Sequence, residues 1–158
     1  MRLLITAGVL GAFALFMFIQ NFKNRNDGQT RTFFYDVSEK KIFAAPSTLV
    51  PPIKGLNDAE EDAFRAVVIS TNNRPHDKKT WKVAYLEKYS DELKRQFESA
   101  QHSGGSPQMG RAEGQSHRFV RRVDDAQWHP MNSPEAGVIL NEWLTAGPNG
   151  GEATICTP

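Results

Sequence analysis

Four histidines, one cysteine and a short acidic run are the residues of this chain best equipped for metal binding or covalent chemistry. A metal site needs ligands that converge. His76, His102, His117 and His129 are far apart, and none stands three or four residues from another His, a Cys or a paired carboxylate on a predicted helix. Histidines in solvated loops are the simpler reading. Asp58, Glu60, Glu61 and Asp62 offer oxygen ligands for calcium, yet they lack the glycine and the spacing of a calcium loop, which predicts a solvated acidic loop. No Gly-x-Ser-x-Gly elbow or catalytic cysteine context surrounds Ser70, Ser116 or Cys156. The sequence therefore predicts no metal, no cofactor and no enzyme activity.

Recognition is the better-supported chemistry. Arg118, Arg121 and Arg122 form the densest basic cluster and could meet a phosphate, a lipid head group or an acidic partner, although Asp124 and Asp125 balance them on what reads as an exposed strand face. Trp128-His129-Pro130-Met131 falls in irregular chain before a helix, where an exposed indole would anchor an interface. The expected partner-binding residues are thus Trp128, His129 and Met131 with the three arginines. The aromatics Phe33, Tyr35, Phe43, Trp81, Tyr85, Trp128 and Trp143 could line a binding groove, but they are mostly what a domain this small needs for its core.

The elements that must position these residues begin with an anchor. From Leu3 to Ile19 the chain carries no charge and only Thr6 as a polar side chain. Continued to Phe22 it makes roughly 30 Å of helix, the thickness of a bilayer core. Leu3, Phe13, Phe16, Phe18 and Phe22 mark the expected span, and Lys23 and Arg25 close it with charges that resist hydrocarbon. A cleaved signal peptide usually has a shorter apolar region ending in small residues, whereas Phe-Ile-Gln-Asn-Phe follows here, so residues 1–23 read as a retained anchor. The protein is expected in the cell membrane as a single-pass protein. Lys23, Arg25 and Arg31 lean towards a cytoplasmic domain, but long domains translocate largely regardless of charge, and the balance favours an extracytoplasmic one. Ala7 with Gly11 and Gly8 with Ala12 could pair two spans into a homodimer, although small residues are common in spans for no such reason.

Residues 24–30 read as a flexible neck, and 31–158 as a single α+β domain. With nineteen basic and eighteen acidic residues there is no bulk field to draw in nucleic acid, and one cysteine permits no internal disulfide. Thr32 to Tyr35 and Lys41 to Ala44 flank an Asp36–Lys40 turn as a β-hairpin, and Pro46, Pro51 and Pro52 make the next stretch an extended strap. Strands follow around Phe64–Ser70 and Lys79–Leu86, the latter placing Trp81, Val83 and Tyr85 on one face. Ser90 caps a helix ending near Gln101, residues 102–116 form a mobile loop, and Arg118–Val123 is an edge strand. Ser133-Pro134-Glu135 opens a second helix whose apolar face takes Val138, Ile139 and Trp143, and the last residues can form a short strand. The fold class is a small, mostly antiparallel sheet with about two helices on one face, after a transmembrane helix.

The stretches FFYDVSEKKIFAAPSTLVPPI, VAYLEKYSDELK and VRRVDDAQWHPMNSPEAGVILNEW resemble a group of small single-span bacterial membrane proteins to which no activity is attached. The resemblance covers most of the chain beyond the anchor. It implies that the hairpin, the strap and the terminal Ser-Pro-Glu helix are a shared architecture. It also implies a second cysteine just after that helix, where this chain has Thr145, Ala146 and Gly147, leaving Cys156 as a free buried or half-buried thiol. The leading expectation is a non-catalytic accessory or interaction protein of the cell envelope, held by the bilayer through residues 3–22 and presenting its domain to another membrane or envelope protein. The rival is a tethered module for a small ligand or peptide, and an enzyme ranks third.

Overall fold

A sheet can bury two faces, and the strand registers show how this one divides its residues. The computed structural model describes residues 30–57 and 60–158, so the expected span over 3–22, most of the neck, and Asp58 fall outside the described residues. Arg31–Pro158 forms one unit. Strand β1 (Arg31–Asp36) pairs antiparallel with β2 (Lys41–Pro46) and with β3 (Ala63–Ser70); β3 pairs with β4 (Trp81–Tyr89), β4 with β5 (Arg118–Arg121), and β5 with β6 (His129–Pro130). The spatial order is β2-β1-β3-β4-β5-β6, with β7 (Thr154–Ile155) beside the far half of β3. The α+β class expected from the sequence holds, as a seven-stranded antiparallel sheet with three α-helices among the described residues. Among the described residues no helix is long and apolar enough to cross a membrane.

Helix α1 (Asp91–Ser103) starts where Ser90 Oγ accepts the Leu93 amide at 3.1 Å and stops at Gly104, whose φ of 69° suits only a residue without a side-chain clash. It buries Leu93 and stacks Phe97 on Tyr89. Helix α3 (Pro134–Glu142) is capped by Ser133, whose Oγ accepts the Ala136 amide at 3.1 Å. It buries Ala136 and Ile139 against Val120, Tyr85 and Met131. Tyr89 and Val120 share a sheet face by register, so both helices cover one side.

Several sequence expectations need correction. Val138 points outward at 59% exposure, because the buried positions are Ala136 and Ile139, one turn apart. The expected loop at 102–116 contains a short helix α2 (Arg111–Ser116). Arg118–Val123 is not an edge, since β6 pairs outside it, and His129 and Pro130 are strand rather than irregular chain. Trp81, Val83 and Tyr85 do not share a face. A bulge between Val67 and Val68 shifts the register so that Val83 opposes Val68 while Tyr85 opposes Val67, and Ala84 is the extra residue. Tyr85 then joins the helix-covered core, while Val83 and Leu86 both join the other.

The hairpin is fixed to the strap by a buried carboxylate. Asp36 is fully buried, and its Oδ1 accepts from the Glu39 amide at 2.8 Å and the Ser38 hydroxyl at 2.9 Å, while Oδ2 accepts from the Leu56 amide at 2.6 Å. Gly55 must stay glycine, because a Cβ there would collide with Asp36 Oδ2 and come within 2.6 Å of Asp62 Oδ1. The strap has few ladder bonds of its own, and side chains supply them: Arg65 donates to the carbonyls of Ser47 and Leu49, Gln101 to Thr48, and Lys94 to Pro52.

Burial pushes the ionisation of Asp36 upward, but the hydrogen bonds from Glu39, Leu56 and Ser38 outweigh it and hold the carboxyl below the usual range. Replacing Asp36 by Ala orphans two amides and is expected to cost about 2–3 kcal/mol at neutral pH. Because the folded value lies below the unfolded one, the stabilisation is complete above about pH 4 and is lost as pH falls through the folded value. Urea unfolding of both chains at pH 7 and pH 3 should show the difference narrowing at the lower pH.

Candidate functional site

The sheet face opposite the helices carries a second core, built from Phe33, Ala66, Val68, Leu86 and Cys156. No α-helix packs on it among the described residues; its cover comes from half-buried aromatics and from the turn after β5, which brings Val123 and Trp128 over it. Between β2 and the start of β4 that cover leaves an open groove of about 980 Å³. Phe33, Tyr35, Ile42, Trp81, Val83 and Val123 give it an apolar floor. Lys40 and Lys41 stand on one side and Lys78 and Lys82 on the other, and no Asp or Glu lines it among the described residues.

The local sequence holds this groove open in defined ways. Phe33 meets Trp81 edge-on at 4.9 Å, and the indole is locked by Nε1 donating to the Pro75 carbonyl at 2.9 Å. Asn72 Oδ1 accepts from the hydroxyls of Ser70 at 2.7 Å and Thr80 at 3.1 Å, tying both ends of the β3–β4 connection. Asp77 caps the following turn by accepting the Lys79 amide, which sets Lys78 Nζ 5.7 Å from the Trp81 ring centre. Lys40 occupies the last position of the hairpin turn at φ 51°, and Lys41 pairs with Glu39 at 3.2 Å. Burial, then the charges of Asp124 and Asp36, push the Tyr35 phenol above its ordinary range, so it stays a neutral hydrogen-bonding tip at physiological pH.

Of the residues expected to bind a partner, only Arg121 and Trp128 are brought together. Strand alternation puts Arg118 on the helix-covered face, 5.8 Å over the Tyr89 ring, and Arg121 on the opposite one. Arg122 grips Glu142 through two hydrogen bonds of 2.6 and 2.5 Å and also pairs with Asp125, which raises its ionisation further and fastens β5 to α3. Met131 packs in the α3 core, and His129 is half-buried in β6. Trp128 is not an exposed anchor. It packs on Phe64 at 4.8 Å, with the Arg121 guanidinium 4.7 Å and the Lys88 ammonium 4.9 Å from its ring centre. Burial lowers the ionisation of both cations, as desolvation beside an aromatic stack should.

Four of the aromatics weighed as groove lining, Phe33, Tyr35, Phe43 and Trp81, do border this groove, but its place in the fold and its lysine rim were not legible in the sequence. Its residues come from the hairpin, the strap, the β3–β4 connection and the chain after β5, and no local spacing joins them; the signals in the sequence are the aromatics and the paired lysines at 40–41 and 78–79. Elsewhere, Ser90 Oγ and His117 Nδ1 are hydrogen-bonded at 2.8 Å, a nucleophile-and-base contact, but the same hydroxyl accepts the Leu93 amide as a helix cap. Cys156 is free and buried, and burial pushes its thiol up, away from the reactive thiolate. No protein-family model matches the chain, and neither a curated protein nor a solved structure matches it.

If Trp128 belongs to the core, Trp128→Ala should destabilise the domain by about 2 kcal/mol, measured by urea unfolding. A loss below about 0.5 kcal/mol would instead mark the indole as a surface anchor.

Proposed function

We propose that the chain is a non-catalytic accessory protein of the bacterial cell envelope, tethered by the apolar stretch 3–22, whose helix-free sheet face binds a segment of a membrane or envelope partner. The observation that carries this reading is the groove: an apolar floor, open along its length, on the face that α1 and α3 leave uncovered. Its volume of about 980 Å³ is at the upper end of the range for small-molecule sites. An open trough leaves much of a small ligand in water, whereas a polypeptide segment can cover its whole length, so the groove favours the accessory role over the small-ligand module. Partner binding moves accordingly from the Trp128 region to the hairpin side of the sheet. The uncharged apolar run from Leu3 to Ile19 supports a membrane location, with the domain on the extracytoplasmic side.

Full-length protein purified from membranes in mild detergent tests this reading. Ile42→Arg places a charge on the groove floor and should reduce co-purifying partner at least about tenfold, with the unfolding temperature little changed. Val138→Arg, on exposed α3 surface, should leave the yield unaltered. The reverse pattern would contradict the assignment of the face. For the tether, alkaline carbonate should leave the full-length chain on membranes and release one lacking residues 2–23.

A further inference from the structure

Among the described residues strand β2 ends the sheet, and one side of its backbone has no strand partner there. The groove is bordered by five consecutive residues of that region, Lys40 to Ala44. Side chains of neighbouring strand residues point to opposite faces, so a groove touching all of them reaches the edge of the strand itself. Ile42 and Ala44 lie on the groove face by their pairing with Tyr35 and Phe33. At the far end of β2, Arg31 Nη2 donates to the Ala44 carbonyl at 2.5 Å, which adds a fifth cation and ends the stretch free to pair.

Resting on the groove reading above, we propose that the occupant is an extended, acidic segment of a partner protein that adds as a strand to the free edge of β2 and lays alternate apolar side chains into the groove. Three features select this chemistry. The free edge offers main-chain pairing, which gives affinity without regard to sequence. The floor takes every second side chain of an added strand, because those side chains emerge on the same face as Ile42 and Ala44. The groove is rimmed by Lys40 and Lys41 on the β2 side and by Lys78 and Lys82 across the floor, with no Asp or Glu in its described lining, so a segment carrying carboxylates is favoured and a cationic one repelled. Lys41 is already paired with Glu39, and Asp124 acts on Tyr35 at the Val123 end, so the strongest preference for acidic residues falls along Lys40, Lys78 and Lys82.

The test uses the full-length protein in detergent micelles and fluorescent decapeptides that alternate glutamate with valine and phenylalanine. Anisotropy should show binding that weakens about tenfold on replacing Lys40, Lys78 and Lys82 by Glu and falls with added salt. A peptide with lysine in place of every glutamate should bind at least about tenfold more weakly. A peptide N-methylated at alternate residues, unable to donate along one edge, should lose binding. Equal binding of the lysine peptide, insensitivity to N-methylation, or lysine-dependent capture of phosphatidylglycerol vesicles with no peptide binding would each overturn the proposal. So would concentration-dependent self-association abolished by the triple substitution, since the occupant would then be a second copy. The two readings fail separately. If Ile42→Arg removes the natural partner while the triple charge reversal retains it, the groove stands and the acidic strand falls; if neither removes it, both fall.

Discussion

An antiparallel sheet that is apolar on both sides must bury both, and this domain has helices for only one. Helices α1 and α3 and the proline strap close the side carrying Val120, Tyr85 and Tyr89, so the side carrying Phe33, Val68 and Leu86 has to be sheltered by its own larger side chains and by the turn after β5. That shelter is complete around Leu86, where Trp128, Phe64 and Arg121 stack, and incomplete over Ile42, Val83 and Trp81. The groove is therefore a consequence of the fold's one-sided cover, and the aromatic content of the chain is what lets that side exist without a helix.

Two local devices decide what the uncovered side contains. The bulge at Val67 and Val68 sends Tyr85 one way and Leu86 the other, and so keeps a continuous apolar row from Phe64 through Ala66 to Val68 facing Leu86 and Val83. The Asp36 carboxylate holds the hairpin turn against Leu56, and both Leu56 and the turn residue Lys40 border the groove. A backbone accounting thus runs directly into the shape of the site: amides that need an acceptor fix the wall on which two of the four lysines stand.

Much of the scaffold was legible because it is written in local chemistry. Asp36 and Ser38 do bond within the hairpin turn, Ser90 and Ser133 do cap helices, and the strap after Pro46 does run outside the sheet's strands, touching the ladder at the Ile53–Ala63 bridge. What escaped depends on contacts between distant residues. A period-two reading of Trp81, Val83 and Tyr85 cannot reveal a bulge, since the extra residue, Ala84, is unremarkable in type. Arg118, Arg121 and Arg122 read as one patch because they are adjacent in sequence, yet alternation and the pull of Glu142 send them to three environments. The converse holds for the lysines, which look scattered along the chain and border one groove. Trp128 gave a misleading signal for a related reason: an indole in a Pro-rich turn is equally suited to solvent and to a cation-flanked stack, and only Phe64, sixty-odd residues earlier, decides.

In the function proposed above, the side without helices is the surface that meets a partner. Leu56, on the groove wall, and Val138, on the outer surface of α3, are similarly exposed at 50% and 59%, so they form a matched pair. A photo-reactive amino acid placed at each position in turn, in the full-length chain in intact membranes, reads which face meets a partner. A discrete crosslinked protein from position 56 and none from position 138 is the predicted result; adducts from 138 alone would contradict it.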